Sequence, residues 1–403
     1  MGFLSVSMVF IFTYFVINPI RTSDFPSIII KLEERPNTKE NVDCSFELID
    51  DNEINNRGPL NSKIIVRGGG AGSSSYPKKG YRLELDERTA LLGMREDDDW
   101  ILFAMYLDFP RTRIKLSFDL WRDLLPKNPT AILPDSRYVK LYINGNFEGL
   151  YLLAERNDRL LFNLDDAQNN VNSSLIFQAK KTSRFTSYER DRFEQDWPND
   201  YEGIYIMDDL LDEFINFVNS EPNEVFFDSE EGIYSKFDKL NLIDFYLYNF
   251  LIDHGDFWVK NYFIVRNTHP EKFFLIPWDF DDSFGQYGGN KYEWDFNCDR
   301  EIKASNQLFN RLINNKEFKL DCQNRWEELR NEIWTEEHLI ETLTAIFSEI
   351  KEIVEIDTKK WNPYPNEMPQ EHWDNDCEAY IDYLYYWISN RLEYCDAHFD
   401  NLV

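Results

Sequence analysis

The chain is short of the residues that usually build soft-metal and thiol sites. It has five histidines and five cysteines, Cys44, Cys298, Cys322, Cys377 and Cys395, and the cysteines form no CxxC pair and no metal-ligand spacing. A histidine-rich hydrolase centre has no ligand set to rest on, and His254 reads as a packing or turn residue. The thiols read equally as ordinary buried residues or as disulfide partners. Positive charge is also scarce: 43 Lys and Arg face 73 Asp and Glu, a formal net charge of −30. A field of that sign repels phosphate backbones, which argues against a nucleic-acid or anionic-membrane partner, although it leaves local nucleotide binding open. No internal repeat and no long disordered tail is visible.

What is present is core material. In 403 residues, 43% are hydrophobic and 16% aromatic, enough for one large two-lobed unit or two domains. Residues 3–20 are almost wholly apolar and sit where a signal peptide or signal anchor would, so residues 1–22 are set apart from the fold. They lack a basic leading region and a clear cleavage site, and about 18 residues is marginal for a span. Asn172-Ser173-Ser174 is a single glycosylation sequon.

Along the chain, strands are expected at residues 27–32, 44–49, 63–67 and 81–85, then a helix at 111–125. Arg113, at the start of that helix, reads as a solvated face residue. Residues 137–155 make the clearest hairpin, with Asn144-Gly145 as a type I′ turn. A strand-like piece at 175–178 and a helix at 208–219 follow, then a strongly apolar helix at 240–252. Further helices are expected at 306–314, 317–331, 336–354 and 378–399. The last carries an apolar stripe through Tyr380, Leu384 and Trp387 that reads as core.

The chemistry concentrates in residues 253–285. Two apolar runs, 262–265 and 273–276, flank a polar segment with Pro270 and read as a hairpin. Such pairing makes Asn261 and Asp279 neighbours, with Asp256 on the loop leading in and Asp281 and Asp282 just beyond. Acids and an amide oxygen converging there suit Mg²⁺ or Mn²⁺ carrying phosphate. The plain alternative is that acids punctuate turns in any acidic protein. A second feature stands against the overall charge. Residues 61–82 carry Lys63, Arg67, Lys78, Lys79 and Arg82 with no acid, around a glycine- and serine-rich loop at 68–75. That loop reads either as a turn or as a phosphate cradle.

In order, RGGGAGSSSYPKKGYRLEL, LLGMREDDDWILFAMYLD with Arg113 after it, YINGNFEGLYLLAE, DFWVKNYFIV and IPWDFDDSFG resemble the spore coat protein H (CotH) kinase family. The likeness runs from about Phe25 to the C-terminus, through NKEFKLDCQNRWEELR and WISNRL. It implies a divergent two-lobed, α+β protein-kinase-like fold: a sheet-rich N-lobe over 23–158 and a mostly helical C-lobe over 159–403. It also implies transfer of the ATP γ-phosphoryl group, with Mg²⁺ or Mn²⁺, to serine or threonine of a secreted or surface protein, and an extracytoplasmic location.

By the same resemblance Asp256 is the catalytic acid and base, Lys260 stabilises the transferred group, and Asn261 and Asp279, with Asp281, bind metal. Lys79 and Arg67 meet phosphate, though sequence does not settle whether Lys78 or Lys79 points inward. Phe273 is a candidate to stack on adenine, and Glu155 a nucleotide-pocket candidate near the hinge. The loop is richer in glycine than the family's RGxSS form, and Ile114 follows Arg113 where the family often has asparagine. The competing function is a non-catalytic surface adhesin or coat-assembly protein; Asp256, Asn261 and Asp279 all being present favours the enzyme.

Overall fold

The structure, a computed structural model, describes residues 25–67, 72–199, 204–255, 259–286, 296–297, 306–361 and 377–403. The apolar segment at 3–20, the start of the glycine run, Asp256 and Cys298 lie outside them.

Alternating apolar residues build the first half. Strands β1 (Ser27–Leu32), β2 (Val42–Ile49), β3 (Arg57–Val66), β4 (Tyr81–Ala90), β5 (Glu96–Phe103), β6 (Ser136–Ile143) and β7 (Asn146–Glu155) close into a barrel, ordered β1-β2-β3-β4-β5-β7-β6. Every second side chain points inward, so Ile28, Ile30, Phe46, Leu48, Leu83 and Trp100 are buried together. Closure comes from a parallel seam in which Ser27 to Ile30 pair with Lys140 to Ile143. Strands β2, β3 and β4 run longer than their apolar cores suggest, and β5 was not expected. Its opening run of acids hides a strand whose end, Trp100 to Phe103, is buried. At the β6–β7 turn Asn144 and Gly145 both take positive φ, 48° and 78°, as a type I′ turn requires.

Between β5 and β6 lies α1 (Arg113–Arg122), shorter than its apolar spacing allows. Arg111 has φ 59°, which no right-handed helix accommodates, so the helix cannot start before it. Ile114, Leu116, Phe118, Leu120 and Trp121 are buried, and the far side of the barrel wall packs against them.

The second half is mostly helical around a four-stranded sheet of β8 (Leu175–Ala179), β9 (Phe193–Trp197), β10 (Tyr262–Arg266) and β11 (Phe274–Pro277), ordered β11-β10-β8-β9. After β9 come α2 (Met207–Ser220), α3 (Asn223–Phe226), α4 (Ile233–Lys236) and α5 (Lys239–Leu251). Almost every residue of α5 is buried, which explains its unbroken apolar run. Asn241 on α5 seals the free side of β11: its amide receives the Leu275 N–H at 2.7 Å and donates to the Leu275 carbonyl at 3.0 Å. Then follow α6 (Gln307–Ile313), α7 (Lys316–Glu332), α8 (Glu336–Lys360) and α9 (Cys377–Asp400). Side chains of Asn306, Asn315 and Thr335 cap α6, α7 and α8 by accepting first-turn N–H groups.

The molecule is thus mixed α+β, sheet-rich first and helical after. The expected sheet-rich first part differs in one respect: its sheet closes on itself, because the long-range β1–β6 seam removes both edges. Among the described residues, Cys44, Cys322 and Cys395 are free thiols. No helix among the described residues is long and apolar enough to cross a membrane.

Candidate functional site

The hairpin of β10 and β11 forms as its two apolar runs suggest, with Tyr262 opposite Pro277 and Phe263 opposite Ile276. Just beyond the pairing, Trp278 N–H donates to the Asn261 carbonyl at 2.9 Å, so Asn261 and Asp279 stand side by side. Both have positive φ, 63° and 66°, an uncommon state for non-glycine residues that needs support from its surroundings. Support comes from Trp278, whose ring packs 5.8 Å from Phe103 of β5, 5.7 Å from Phe118 of α1 and 5.7 Å from Phe263 of β10. Barrel, first helix and second sheet therefore meet directly behind Asp279, whose own side is exposed.

The loop entering the site is tied to the loop leaving it. His254 Nε2 donates to the Asp279 carbonyl at 2.9 Å, and Gly255 N–H donates to Asp282 O at 3.0 Å. His254, read from sequence as a packing or turn residue, is buried and acts as this tie. Asp256 itself lies outside the described residues. Upstream, Arg391 of α9 donates Nε to Leu251 O at 3.2 Å and Nη2 to Phe250 O, satisfying the last carbonyls of α5. Asp253 (φ 49°) and Phe284 (φ 49°) add two more left-handed residues, so four of the described non-glycine residues within 253–284 are of this kind.

Arg113 corrects a sequence expectation. It is not a solvated face residue but is wholly buried, paired with Asp108 (Nη1 to Oδ1, 2.6 Å). Its Nε donates to Ser283 O at 3.1 Å and its Nη2 to Phe284 O at 3.4 Å, both in the loop after Asp279.

The basic island does not act as one patch. Alternation along β3 and β4 sends its charges in different directions. Lys63 pairs with Glu84 at 3.7 Å and Arg82 with Asp99 at 2.8 Å, on the outside of the barrel. Lys78 turns inward to Asp357 of α8 at 2.9 Å and donates to Leu150 O. Lys79 stays beside the glycine and serine loop, donating Nζ to Ser74 O at 2.7 Å. Arg67, just past β3, lies with its guanidinium 4.4 Å from the centre of the Phe103 ring. Burial lowers the pKa of Arg67, and the charges of Asp279 and Asp281 oppose that shift. This opposition places all three groups in one electrostatic neighbourhood.

Two candidates stand elsewhere. Phe273 sits at the turn end of the hairpin, next to β11's start and away from Asn261. Its ring stacks on Phe237 at 5.3 Å and lies under Arg266 at 4.8 Å, and the side chain is half-buried. Glu155, at the end of β7, receives Arg95 N–H at 3.0 Å and Asp135 N–H at 2.9 Å, one on each carboxylate oxygen. Those bonds tie chain crossings together and leave the group inward. Lys260 is half-buried immediately before Asn261.

The donors of this mouth, the Asn261 amide with the Asp279 and Asp281 carboxylates, are hard oxygens and fit Mg²⁺ or Mn²⁺ in kind. Among the described residues, no three histidine, cysteine or acidic side chains converge as a metal cluster. A cation here therefore needs the amide of Asn261 beside the two acids. Sequence reasoning missed Asp108, His254, Asp357 and Arg391, since none belongs to the acid-and-amide pattern; the pair of arginines flanking Thr112 was the available signal for Asp108 and Asp357.

The geometry defines a mixed α+β protein with an acidic hairpin mouth whose charges act on Arg67 of the barrel side. The family model described as CotH kinase protein matches residues 64–395, so the chain belongs to the CotH family. It is similar to the inner spore coat protein H of Bacillus subtilis (strain 168), with 26% identity over 337 residues, covering 80% of this chain and 83% of the relative.

Proposed function

We propose that this protein is an atypical protein kinase, with a divergent kinase-like arrangement, that moves the γ-phosphoryl group of ATP to serine or threonine hydroxyls of secreted or surface proteins. The observation that carries this reading is the pairing of Asn261 with Asp279 at one hairpin mouth. The matching family is described as kinase, and the coat-protein relative supports an extracellular or coat-associated setting.

Phosphoryl transfer asks a protein mainly for positioning and charge stabilisation. Asn261, Asp279 and Asp281 would hold the divalent cation, which when bound offsets phosphate charge. Asp256 orients the acceptor hydroxyl and takes its proton as the new O–P bond forms and the bond to the ADP oxygen breaks. Lys260, next to Asn261, and Arg67, in the field of Asp279 and Asp281, stabilise charge on the oxygens of the group in flight. Lys79 beside the glycine and serine loop faces the phosphates, while Lys78 is already engaged by Asp357.

The test is transfer of labelled γ-phosphate from ATP to the protein itself and to a pool of secreted proteins, with Mg²⁺ and separately Mn²⁺, comparing wild type with Asp256→Asn and Asp279→Ala. Metal-dependent labelling that both substitutions abolish supports the kinase. Wild type that neither labels nor binds nucleotide points to the adhesin or coat-assembly reading.

A further inference from the structure

The segment just before α1 carries a buried ion pair whose contacts reach well beyond that helix. Asp108 and Arg113 are both fully buried. One Asp108 oxygen holds the Arg113 guanidinium at 2.6 Å, and the other receives the Arg113 N–H at 2.7 Å, capping the start of α1. The pair fixes the guanidinium so that two of its remaining N–H groups face Ser283 O and Phe284 O, 170 and 171 residues away.

Those carbonyls belong to a loop that strains to keep its shape. Asp279 and Phe284 have positive φ, and Gly285 has φ 80° with the Trp387 ring so close that an added Cβ would lie 2.8 Å from it. The loop is held further by Ser283 Oγ donating to Phe280 O at 2.6 Å and Phe284 N–H donating to Ile252 O at 2.7 Å. Left-handed backbone is costly for non-glycine residues, so the loop relaxes unless several contacts determine it together. Arginine suits this place because its rigid fork serves the carboxylate and both carbonyls at once, which the single ammonium of lysine cannot do.

We propose that Arg113, set by Asp108, is a positioning residue that fixes the loop of Asp279 and Asp281 for the divalent cation, so that the start of α1 and the cation site are coupled. The proposal rests on the phosphotransfer reading above. Arg113 touches neither substrate nor metal; it acts through the Ser283 and Phe284 carbonyls.

The test uses the full chain without nucleotide. Mn²⁺ titration is followed by electron paramagnetic resonance, and backbone hydrogen exchange is read in wild type, Arg113→Lys and Asp108→Asn. The expected result is a loss of Mn²⁺ affinity of about tenfold or more in both variants, typical for a group one shell away from a metal. Faster exchange should be confined to residues 279–286 and the first turn of α1, with lesser change elsewhere. Unchanged Mn²⁺ affinity in folded Arg113→Lys, or exchange that rises evenly across the chain, overturns the proposal and leaves the pair a structural plug. Should both variants fail to fold, wild type decides alone. Mn²⁺ must then slow exchange at the first turn of α1 as well as in the loop, and protection of the loop alone overturns the coupling. Wild type that binds no Mn²⁺ removes the cation site and this proposal together, whereas wild type that binds beside an Arg113→Lys that binds equally removes only this proposal.

Discussion

Two acids reach from the helical half toward the barrel, and they are housed in opposite ways. Asp357 near the end of α8 is wholly buried between Lys78 at 2.9 Å and Arg111 at 2.8 Å, and it receives the Leu150 N–H at 2.9 Å. Asp279 is exposed, sits on strained backbone and acts on Arg67 only through its charge. Burial alone would raise the Asp357 carboxyl, but the two cations outweigh it and hold the group below the usual carboxylate range. A charge that is paired, bonded and sealed holds two halves together. A charge left open on backbone that must be propped into place is available to a ligand.

The sharpest way to break this contrast is to cross the two substitutions. Asp279→Ala should reduce γ-phosphate transfer by about 10³-fold or more, on the scale of losing a main charge-stabilising group, while unfolding free energy moves by only about 0.5 kcal/mol, as for an exposed side chain. Asp357→Ala should do the reverse to stability, costing about 3–5 kcal/mol in urea unfolding because Lys78 and Arg111 stay buried without their partner. Equal stability losses for the two would erase the distinction.

A subtler probe is Gly149→Ala on β7. Gly149 has φ 128°, and an added Cβ would lie 2.1 Å from Asp357 Oδ1. The methyl must displace the carboxylate, so a loss of about 2–3 kcal/mol is expected in the same unfolding measurement, from strain and overpacking together.

The last probe is pH. Burial pushes the Lys78 ammonium down from 10.5 to about 7, with Asp357 pulling it only partly back. Between those values the unfolded chain holds the Lys78 proton more fully than the folded chain, so stability rises with pH, by at most about 1.4 kcal/mol per unit. Urea unfolding at about pH 7 and about pH 9.5 should show that rise in wild type and a flatter response in Lys78→Met. A parallel response in both would mean that the ammonium keeps its proton through the Asp357 pairing.

Elements with a local signature were legible in the sequence: the Asn144-Gly145 turn, the apolar run of α5, and the hairpin that joins Asn261 to Asp279. Each depends on residues within one or two dozen positions, where periodicity and turn chemistry carry the information. What was not legible depends on distant partners. The β1–β6 seam joins residue 27 to residue 140, and neither strand alone announces a parallel neighbour. Lys78 and Lys79 are chemically alike in sequence, and only the arrival of Asp357, 279 residues later, separates them. Arg113 looks like any helix-surface arginine until Asp108 and the Ser283 carbonyl enclose it. Phe273 is similar: its neighbours Phe237 and Arg266 come from other elements, and no local pattern announces them.

The closed barrel and the Asn241 seal on β11 carry one more consequence. Open strands present rows of unpaired N–H and C=O groups on which another chain can add itself, by design in some assemblies and by accident in fibrils. Here the barrel has no free strand, and β11 spends its Leu275 groups on an amide from α5. At these places a crowding neighbour finds side chains and no backbone template. Contacts there are therefore selected by shape and charge, and they can be tuned by single substitutions, as sheet extension cannot.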